Sequence, residues 1–260
     1  MVVLVNKIIM SAIEKIAVCS RSFSRNKILR KELEDKYENI RFNDEGLSLN
    51  GESLVKFLKN TTHAITALEK IDDDLLCQLP KLEVISKYGV GLDMIDMQAM
   101  QKHNVKLGWT GGVNRRSVSE LVISFAIALL RHVPASHREV LLGTWRQHIG
   151  GHLSGRTVGI IGCGHVGKDL VRLLQPFDCQ ILVYDIKHYG EFYKQYNVKT
   201  TGKEELLARS DVVTLHTPLD SSTVNMLNSE CLSLMKSDAI LINVARGGLV
   251  DEATLKYMLM

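Results

Sequence analysis

The glycine motif GCGHVG at residues 162–167 is the feature of the sequence that points most directly to chemistry. It follows the β-type run Thr157–Ile161 and precedes a segment with helical spacing, which is the context of a dinucleotide-binding turn. In such a turn Gly162 makes the tight bend, Gly164 lets the backbone approach a pyrophosphate, and Gly167 allows close packing of helix on strand. The phosphate then lies at the helix N-terminus. The alternative is a tight glycine turn that binds nothing.

An acidic residue follows the glycine motif at a meaningful spacing. The next β-type run ends at Asp185, and 185 − 167 = 18 residues separate it from Gly167. A carboxylate at this place bonds the ribose hydroxyls of NAD and repels the 2′-phosphate of NADP. The sequence therefore predicts NAD as the cofactor and tighter binding of NADH than of NADPH, although Lys187 two residues later weakens this preference.

The elements that must position these residues alternate between strand and helix along the chain. Such alternation predicts an α/β fold with parallel sheets and helices on both faces. The predicted strands are Ile16–Cys19, Asn39–Phe42, His63–Leu68, Leu82–Ser86, Val105–Leu107, Thr157–Ile161, Ile181–Tyr184, Val212–Leu215 and Ile240–Val244. The predicted helices are Asn26–Tyr37, Glu52–Leu58, Asp72–Leu79, Ile95–His103, Gly167–Leu174 and Glu204–Ala208. Two doubly wound domains result, residues 1–110 and 111–260.

A further helix is predicted to begin at Ser117, because Ser117 and Glu120 have the spacing of a capping box. The helix is apolar on nearly every side as far as Arg131, and Pro134 is expected to end it. A helix of this kind needs burial on several sides. We therefore expect a homodimer, with burial between the two domains of one chain as the alternative.

Composition excludes several functional classes. The 260 residues are 45% hydrophobic and 23% charged, and the net charge of 32 − 29 = +3 is too small and scattered for a nucleic-acid partner. No apolar run reaches the ~20 residues of a membrane span, and the N-terminus lacks the features of a signal peptide. The five cysteines show no metal spacing and predict reduced thiols in the cytoplasm. They are Cys19, Cys77, Cys163, Cys179 and Cys231.

Four more segments complete a pattern with the glycine motif. They are Tyr88–Asp93 (YGVGLD), Thr110–Asn114 (TGGVN), His216–Leu219 (HTPL) and Asn243–Glu252 (NVARGGLVDE). In this order they closely resemble the D-isomer-specific 2-hydroxyacid dehydrogenase family, from about Lys15 to the last residue. The resemblance implies a flavodoxin-like substrate domain and a Rossmann NAD-binding domain. It also implies hydride transfer between NAD(H) and a small D-2-hydroxy acid or 2-keto acid, as in phosphoglycerate dehydrogenases.

The resemblance assigns substrate roles to two segments. Arg246 would bind the substrate carboxylate and polarise the keto oxygen, because its planar fork donates two parallel hydrogen bonds. The backbone N–H groups of Val90 and Gly91 would also hold the carboxylate, next to Gly89 in the same glycine loop. Lys87 would meet a substrate phosphate or carboxylate, with an exposed strand-end lysine as the equal alternative.

The resemblance also assigns the cofactor contacts. Val90 would border the nicotinamide, and Val244 would lie near the nicotinamide ribose. Backbone amides of His165 and Val166 would cover the pyrophosphate, and Asp185 would hold the adenosine ribose. Thr217 and Pro218 would border the adenine.

One family feature is absent from the sequence. The family's general acid/base is a histidine paired with a glutamate, both beyond the Arg-Gly-Gly segment, and the chain ends before either. We expect a C-terminally truncated member whose nucleotide domain lacks its last strands and which turns over poorly. None of the nine histidines occupies the catalytic position: His63, His103, His132, His137, His148, His152, His165, His188 and His216. The alternative function is a non-catalytic NAD-binding regulator, similar to a corepressor.

Overall fold

A computed structural model describes residues 14–260, which form two compact units. The first unit ends at Gly111 and the second begins at Gly112. Each unit holds one parallel sheet of five strands flanked by helices. The α/β class and the doubly wound parallel sheets predicted from the alternating segments are confirmed.

The first unit has the strand order β2-β1-β3-β4-β5, the order of flavodoxin-like folds. Its strands are β1 (Ile16–Val18), β2 (Ile40–Phe42), β3 (His63–Thr66), β4 (Val84–Lys87) and β5 (Lys106–Gly108). Its helices are α1 (Arg21–Arg25), α2 (Lys27–Glu34), α3 (Gly51–Leu58), α4 (Asp73–Leu76) and α5 (Met97–Lys102). Apolar residues of strands and helices, such as Ala17, Leu54 and Ile85, form one buried core.

The second unit has the order β10-β9-β6-β7-β8, in which the chain reverses direction across the sheet between β6 and β9. Its strands are β6 (Thr157–Ile161), β7 (Gln180–Tyr184), β8 (Lys199–Thr200), β9 (Val212–Leu215) and β10 (Ile240–Asn243). Its helices are α6 (Arg115–Leu130), α7 (Val133–Leu141), α8 (His165–Leu174), α9 (Gly190–Gln195), α10 (Lys203–Arg209), α11 (Ser229–Ser233) and α12 (Glu252–Met258). A reversal of this kind creates a crevice at the carboxyl ends of the strands, where α/β proteins bind their ligands.

The central strands of this sheet are continuous apolar runs. Strand β6 pairs with β7 and β9 in parallel register, with Gly159 opposite Leu182 and Val213. Helix α8 buries Leu170, Val171 and Leu174 against one face of the sheet. Two apolar clusters, one on each face, therefore fix where the carboxyl ends of the strands point.

The predicted start and end of the long apolar helix are wrong. Helix α6 begins at Arg115, two residues before Ser117, and no side chain caps it. It ends at Leu130, and Pro134 lies in the first turn of α7, where proline's missing N–H costs nothing. One face buries Val122, Ala126 and Leu130. The opposite face is exposed in the single chain, so the expected burial against another domain or subunit stays a prediction.

Two properties of residues 14–260 bear on function. No single helix in this range is long and apolar enough to cross a membrane. Helices α6 and α7 are long and apolar enough only when taken together, and the chain bends by 62° at the break between them. The same range contains no group of three or more His, Cys, Asp or Glu side chains arranged to hold a metal ion.

Candidate functional site

The glycine turn after β6 is shaped by contacts that exclude side chains. Gly162 has φ = +94° and donates its N–H to the Tyr184 carbonyl at 2.9 Å. A Cβ on Gly162 would lie 2.8 Å from the His216 carbonyl oxygen, and one on Gly167 would overlap the Gly162 carbonyl. These two glycines are therefore required by the fold itself.

Gly164 differs from its two neighbours in the motif. It has an ordinary φ of −73°, and a Cβ built on it would meet nothing within 4 Å. It is the N-cap of α8, and no side chain caps this helix. Among the described residues, the N–H groups of His165 and Val166 have no acceptor. The turn therefore presents open space and unpaired donors together, which fits a pyrophosphate that approaches the backbone closely.

Asp185 lies at the carboxyl end of β7 and faces the same turn. One of its oxygens accepts the Cys163 N–H at 2.5 Å, and the other accepts the Lys187 N–H at 2.7 Å. These two bonds fix the plane of the carboxylate. Each oxygen still has a lone pair for a further donor, which fits the ribose hydroxyls of NAD.

The segment after β9 lies against the glycine turn. The His216 N–H donates to the Ile161 carbonyl at 2.8 Å, and the Thr217 methyl lies beside Gly162. The Pro218 carbonyl accepts the Thr223 hydroxyl at 2.8 Å, which holds the turn that follows. Thr217 and Pro218 thus lie at the same sheet edge as Gly162 and Asp185.

The imidazole of His216 is uncharged at neutral pH, because burial lowers its pKa to about 4. Its Nε2 lies 3.0 Å from the Thr214 hydroxyl. The interpretation of this histidine as structural rests on that burial and contact.

The depressed pKa of His216 predicts an acid-sensitive fold. An unfolded histidine gains its proton near pH 6.5, whereas folded His216 does so near pH 4, so stability falls as the pH drops through this window. The predicted loss is up to about 3 kcal/mol. Urea unfolding from pH 7 to pH 4 measures it, and His216→Asn is expected to flatten the profile. The exposed His137→Asn is the matched control and should leave the profile unchanged.

The segment after β10 carries the predicted substrate arginine. Asn243 holds the turn, because its Nδ2 donates to the Arg246 carbonyl at 2.7 Å and its Oδ1 accepts the Ala245 N–H at 3.1 Å. Arg246 is half-buried, and its Nη1 donates to the Ala245 carbonyl at 2.8 Å. Val244 packs against the apolar core beside α8. Both predicted residues therefore lie at the carboxyl edge of the sheet.

The glycine loop of the first unit follows β4. Gly89 has φ = +128°, and the Trp109 indole Nε1 donates to the Val90 carbonyl at 3.1 Å. Among the described residues, neither the Val90 N–H nor the Gly91 N–H has an acceptor. Two adjacent unpaired donors fit a carboxylate. The Lys87 ammonium donates to the Ala67 carbonyl, so this lysine also joins the β3 and β4 loops.

The second half of the chain matches a family model described as "D-isomer specific 2-hydroxyacid dehydrogenase, NAD binding domain", over residues 123–260. A glyoxylate reductase of Pyrococcus horikoshii is 34% identical over 235 residues, 86% of this chain and 70% of the relative. The chain belongs to the D-isomer specific 2-hydroxyacid dehydrogenase family. Members of this family are NAD-dependent oxidoreductases, and NAD is the cofactor of the matched domain.

Other 2-hydroxyacid dehydrogenases show how much of a relative the chain spans. A D-3-phosphoglycerate dehydrogenase of Bacillus subtilis is 32% identical, over 74% of this chain and 37% of the relative. The structure of a D-lactate dehydrogenase from Aquifex aeolicus with NAD and lactic acid has a TM-score of 0.82 and 24% identity. It covers 95% of this chain and 73% of that one, and it supports the fold. None of these relatives favours the non-catalytic alternative.

Two features of this dehydrogenase site had no signal in the sequence. The Cys163 N–H that donates to Asp185 belongs to the backbone, so the residue type at position 163 does not predict this hydrogen bond. The ion pair of Arg116 with Asp169 joins positions 53 residues apart.

Proposed function

We propose that this chain transfers a hydride between NAD(H) and a small D-2-hydroxy acid or its 2-oxo acid. The observation that carries the proposal is the carboxyl edge of the second sheet. There the glycine turn, Asp185, Thr217 and Arg246 follow β6, β7, β9 and β10, within the family's NAD-binding domain. When bound, NAD(H) supplies or accepts the hydride. The chain's own residues bind and orient the cofactor and the acid, and the proton of the C2 hydroxyl is exchanged with water.

We assign the cofactor to the predicted second domain, residues 111–260. Backbone N–H groups of His165 and Val166 bind the pyrophosphate beside Gly164, and Asp185 binds the adenosine ribose. Thr217 and Pro218 border the adenine, and Val244 lies near the nicotinamide ribose. The open Gly164 and the unpaired N–H groups support this assignment.

We assign substrate binding to the glycine loop of residues 1–110 and to Arg246. The N–H groups of Val90 and Gly91 bind the carboxylate, and Val90 also borders the nicotinamide. Arg246 holds the carboxylate and stabilises negative charge on the oxygen at C2 while the hydride adds to that carbon. Lys87 adds positive charge beside Gly89, where it attracts an anionic acid.

The cofactor assignment predicts a preference that binding can measure. NADH is expected to bind at least tenfold more tightly than NADPH, because the carboxylate of Asp185 bonds the ribose and repels a 2′-phosphate. Asp185→Ala is expected to weaken NADH binding and to remove most of the preference. Isothermal titration of both cofactors into both proteins gives the four affinities.

Asp178→Ala serves as the matched control, since Asp178 lies at the opposite, amino end of β7. It should leave both affinities unchanged. Tighter binding of NADPH than of NADH by the unmodified protein would show that Asp185 does not face the ribose.

We further propose that the chain forms a homodimer through α6 and α7. The outer face of these helices and the segment after them expose large apolar side chains, which water disfavours. These include Leu121, Phe125, Leu129, Leu141, Leu142 and Trp145, the last with 90% of its surface exposed. Analytical ultracentrifugation is expected to show a dimer, and Leu141→Asp with Trp145→Asp to give a monomer. A monomeric unmodified protein at micromolar concentration would contradict the proposal.

We also propose the cytoplasm as the compartment of this chain. All five cysteines are free thiols, which supports a reducing environment. Burial raises the pKa of Cys163 and of Cys179 to about 11, so both stay protonated at neutral pH. Fractionation of source cells tests this proposal, and recovery with secreted or membrane fractions would refute it.

A further inference from the structure

Helix α6 and the turn before it hold the first turns of α8 by three contacts, which we call the α6 clamp. The Ser119 hydroxyl donates to the Val166 carbonyl at 3.2 Å. Gly112, with φ = +69°, lies against the His165 ring, which occupies the place where a Cβ would be. Arg116 Nη2 lies 3.1 Å from Asp169 Oδ1. The clamp therefore acts on the residues whose N–H groups face the proposed pyrophosphate site.

Asp169 is an unusual member of this helix. It is only 4% exposed, and its second oxygen, Oδ2, is buried without a partner among the described residues. The Arg116 side chain is 52% exposed and reaches the carboxylate from the surface. A buried carboxylate with one bonded oxygen depends strongly on its single cationic partner, because breaking the pair leaves an uncompensated charge.

The position of Asp169 near the start of α8 affects how strongly this end of the helix attracts an anion. Asp169 is the fifth residue of α8, about 6 Å along the axis from His165. The helix start attracts an anion through its unpaired N–H groups and its dipole, and a carboxylate so close opposes that attraction. Lys168 does not offset it directly, since its ammonium lies 3.3 Å from the centre of the Tyr189 ring.

We propose that Arg116 is a positioning residue that sets the affinity of α8 for the cofactor pyrophosphate, by neutralising Asp169. The proposal rests on the proposed function, which places the pyrophosphate at the start of α8. Arg116 acts through Asp169 and the electrostatic field of the helix, without contacting the cofactor.

Two probes separate this effect from a loss of structure. ADP-ribose carries the pyrophosphate, whereas adenosine carries none and is expected to bind through Asp185 and the residues that border the adenine. Arg116→Ala is expected to weaken ADP-ribose binding about fivefold, the order expected for one unit charge near a partly solvated anion. Adenosine affinity should stay within twofold. Both affinities are measured by ligand-observed NMR titration.

The decisive variant adds Asp169→Asn to Arg116→Ala. Asparagine keeps the shape of aspartate but removes the charge, so the double variant is expected to recover the ADP-ribose affinity of the unmodified protein. A merely structural loosening of the clamp would not be rescued, because the double variant still lacks the contact with Arg116. Raising the salt concentration is expected to shrink the effect of Arg116→Ala.

Arg209→Ala is the matched control, since Arg209 forms an exposed pair with Glu205 within α10. It should change neither affinity. Equal weakening of adenosine and ADP-ribose by Arg116→Ala, no weakening at all, or no rescue by Asp169→Asn would each overturn the inference. Failure of the unmodified protein to bind ADP-ribose would instead refute the proposed nucleotide site.

Discussion

Replacing Gly164 by alanine is expected to weaken NADH binding roughly a hundredfold while the melting temperature of the protein stays unchanged. The added methyl group meets no atom within 4 Å, and the backbone has an ordinary φ, so the fold tolerates it. In the proposed complex the same space admits the pyrophosphate. Loss of two charge-assisted hydrogen bonds at ~1.5 kcal/mol each accounts for the size of the effect. Calorimetric titration with NADH and a thermal melt measure the two quantities.

Gly202 provides the control for this substitution. It is also the N-cap of a helix, with φ = −65°, and its added Cβ would make only an ordinary contact of 3.7 Å with Glu204. Gly202→Ala is expected to change neither stability nor NADH affinity. An unchanged NADH affinity in Gly164→Ala would mean that the pyrophosphate does not approach this backbone. Gly167→Ala, by contrast, should lower stability, because its Cβ would overlap the Gly162 carbonyl.

Replacing Arg246 by glutamine is expected to slow hydride transfer about a thousandfold. The substitution removes the charge and the planar fork that would bind the carboxylate and the developing negative oxygen. Two such interactions at ~2 kcal/mol each correspond to this factor. Single-turnover kinetics with NADH and hydroxypyruvate, with protein in excess, give the rate constant.

The same experiment separates substrate from cofactor effects. NADH affinity should be unaltered in Arg246→Gln, because the proposed cofactor contacts are made by other residues. Arg246→Lys is expected to recover part of the rate, since lysine keeps the charge but loses the fork. Arg209→Gln is the control for removal of an arginine. A rate in Arg246→Gln within threefold of the unmodified protein would contradict the assigned role.

The fold was predictable where strands are buried on both faces. Strands β6 and β9 match their predicted ranges to the residue, because such strands are continuous runs of β-branched and aliphatic side chains. Helices of five residues, such as α1 and α11, escaped prediction since they are shorter than two helical turns. Strand β8 has only two residues and gives no periodic signal.

The start of α6 shows where local patterns fail. Ser117 and Glu120 have the spacing of a capping box, yet the helix begins at Arg115. The turn before it is held by Gly112, whose backbone packs against His165 more than fifty residues away. A tertiary contact therefore overrides the local capping preference, and no pattern around Ser117 records it.

The candidate site likewise combines residues that the sequence predicts with contacts that it does not predict. The glycine motif and Asp185 were predictable because their backbone geometry demands particular residue types at fixed spacing. The roles of Arg246, Val90 and Thr217 came from the resemblance and stay predictions, although the structure places each at the end of a strand. The α6 clamp could not be predicted from the sequence, because its contacts join residues that no local pattern connects.

The most direct test of the proposed hydride transfer is the fate of the transferred hydrogen. Unmodified protein in excess is mixed with hydroxypyruvate and NADH that carries deuterium at the transferred position, and the glycerate formed is analysed by NMR and chiral chromatography. We expect D-glycerate with one deuterium at C2, and loss of that product in Arg246→Gln. Glycerate of the L configuration, or the absence of deuterium at C2, would contradict it.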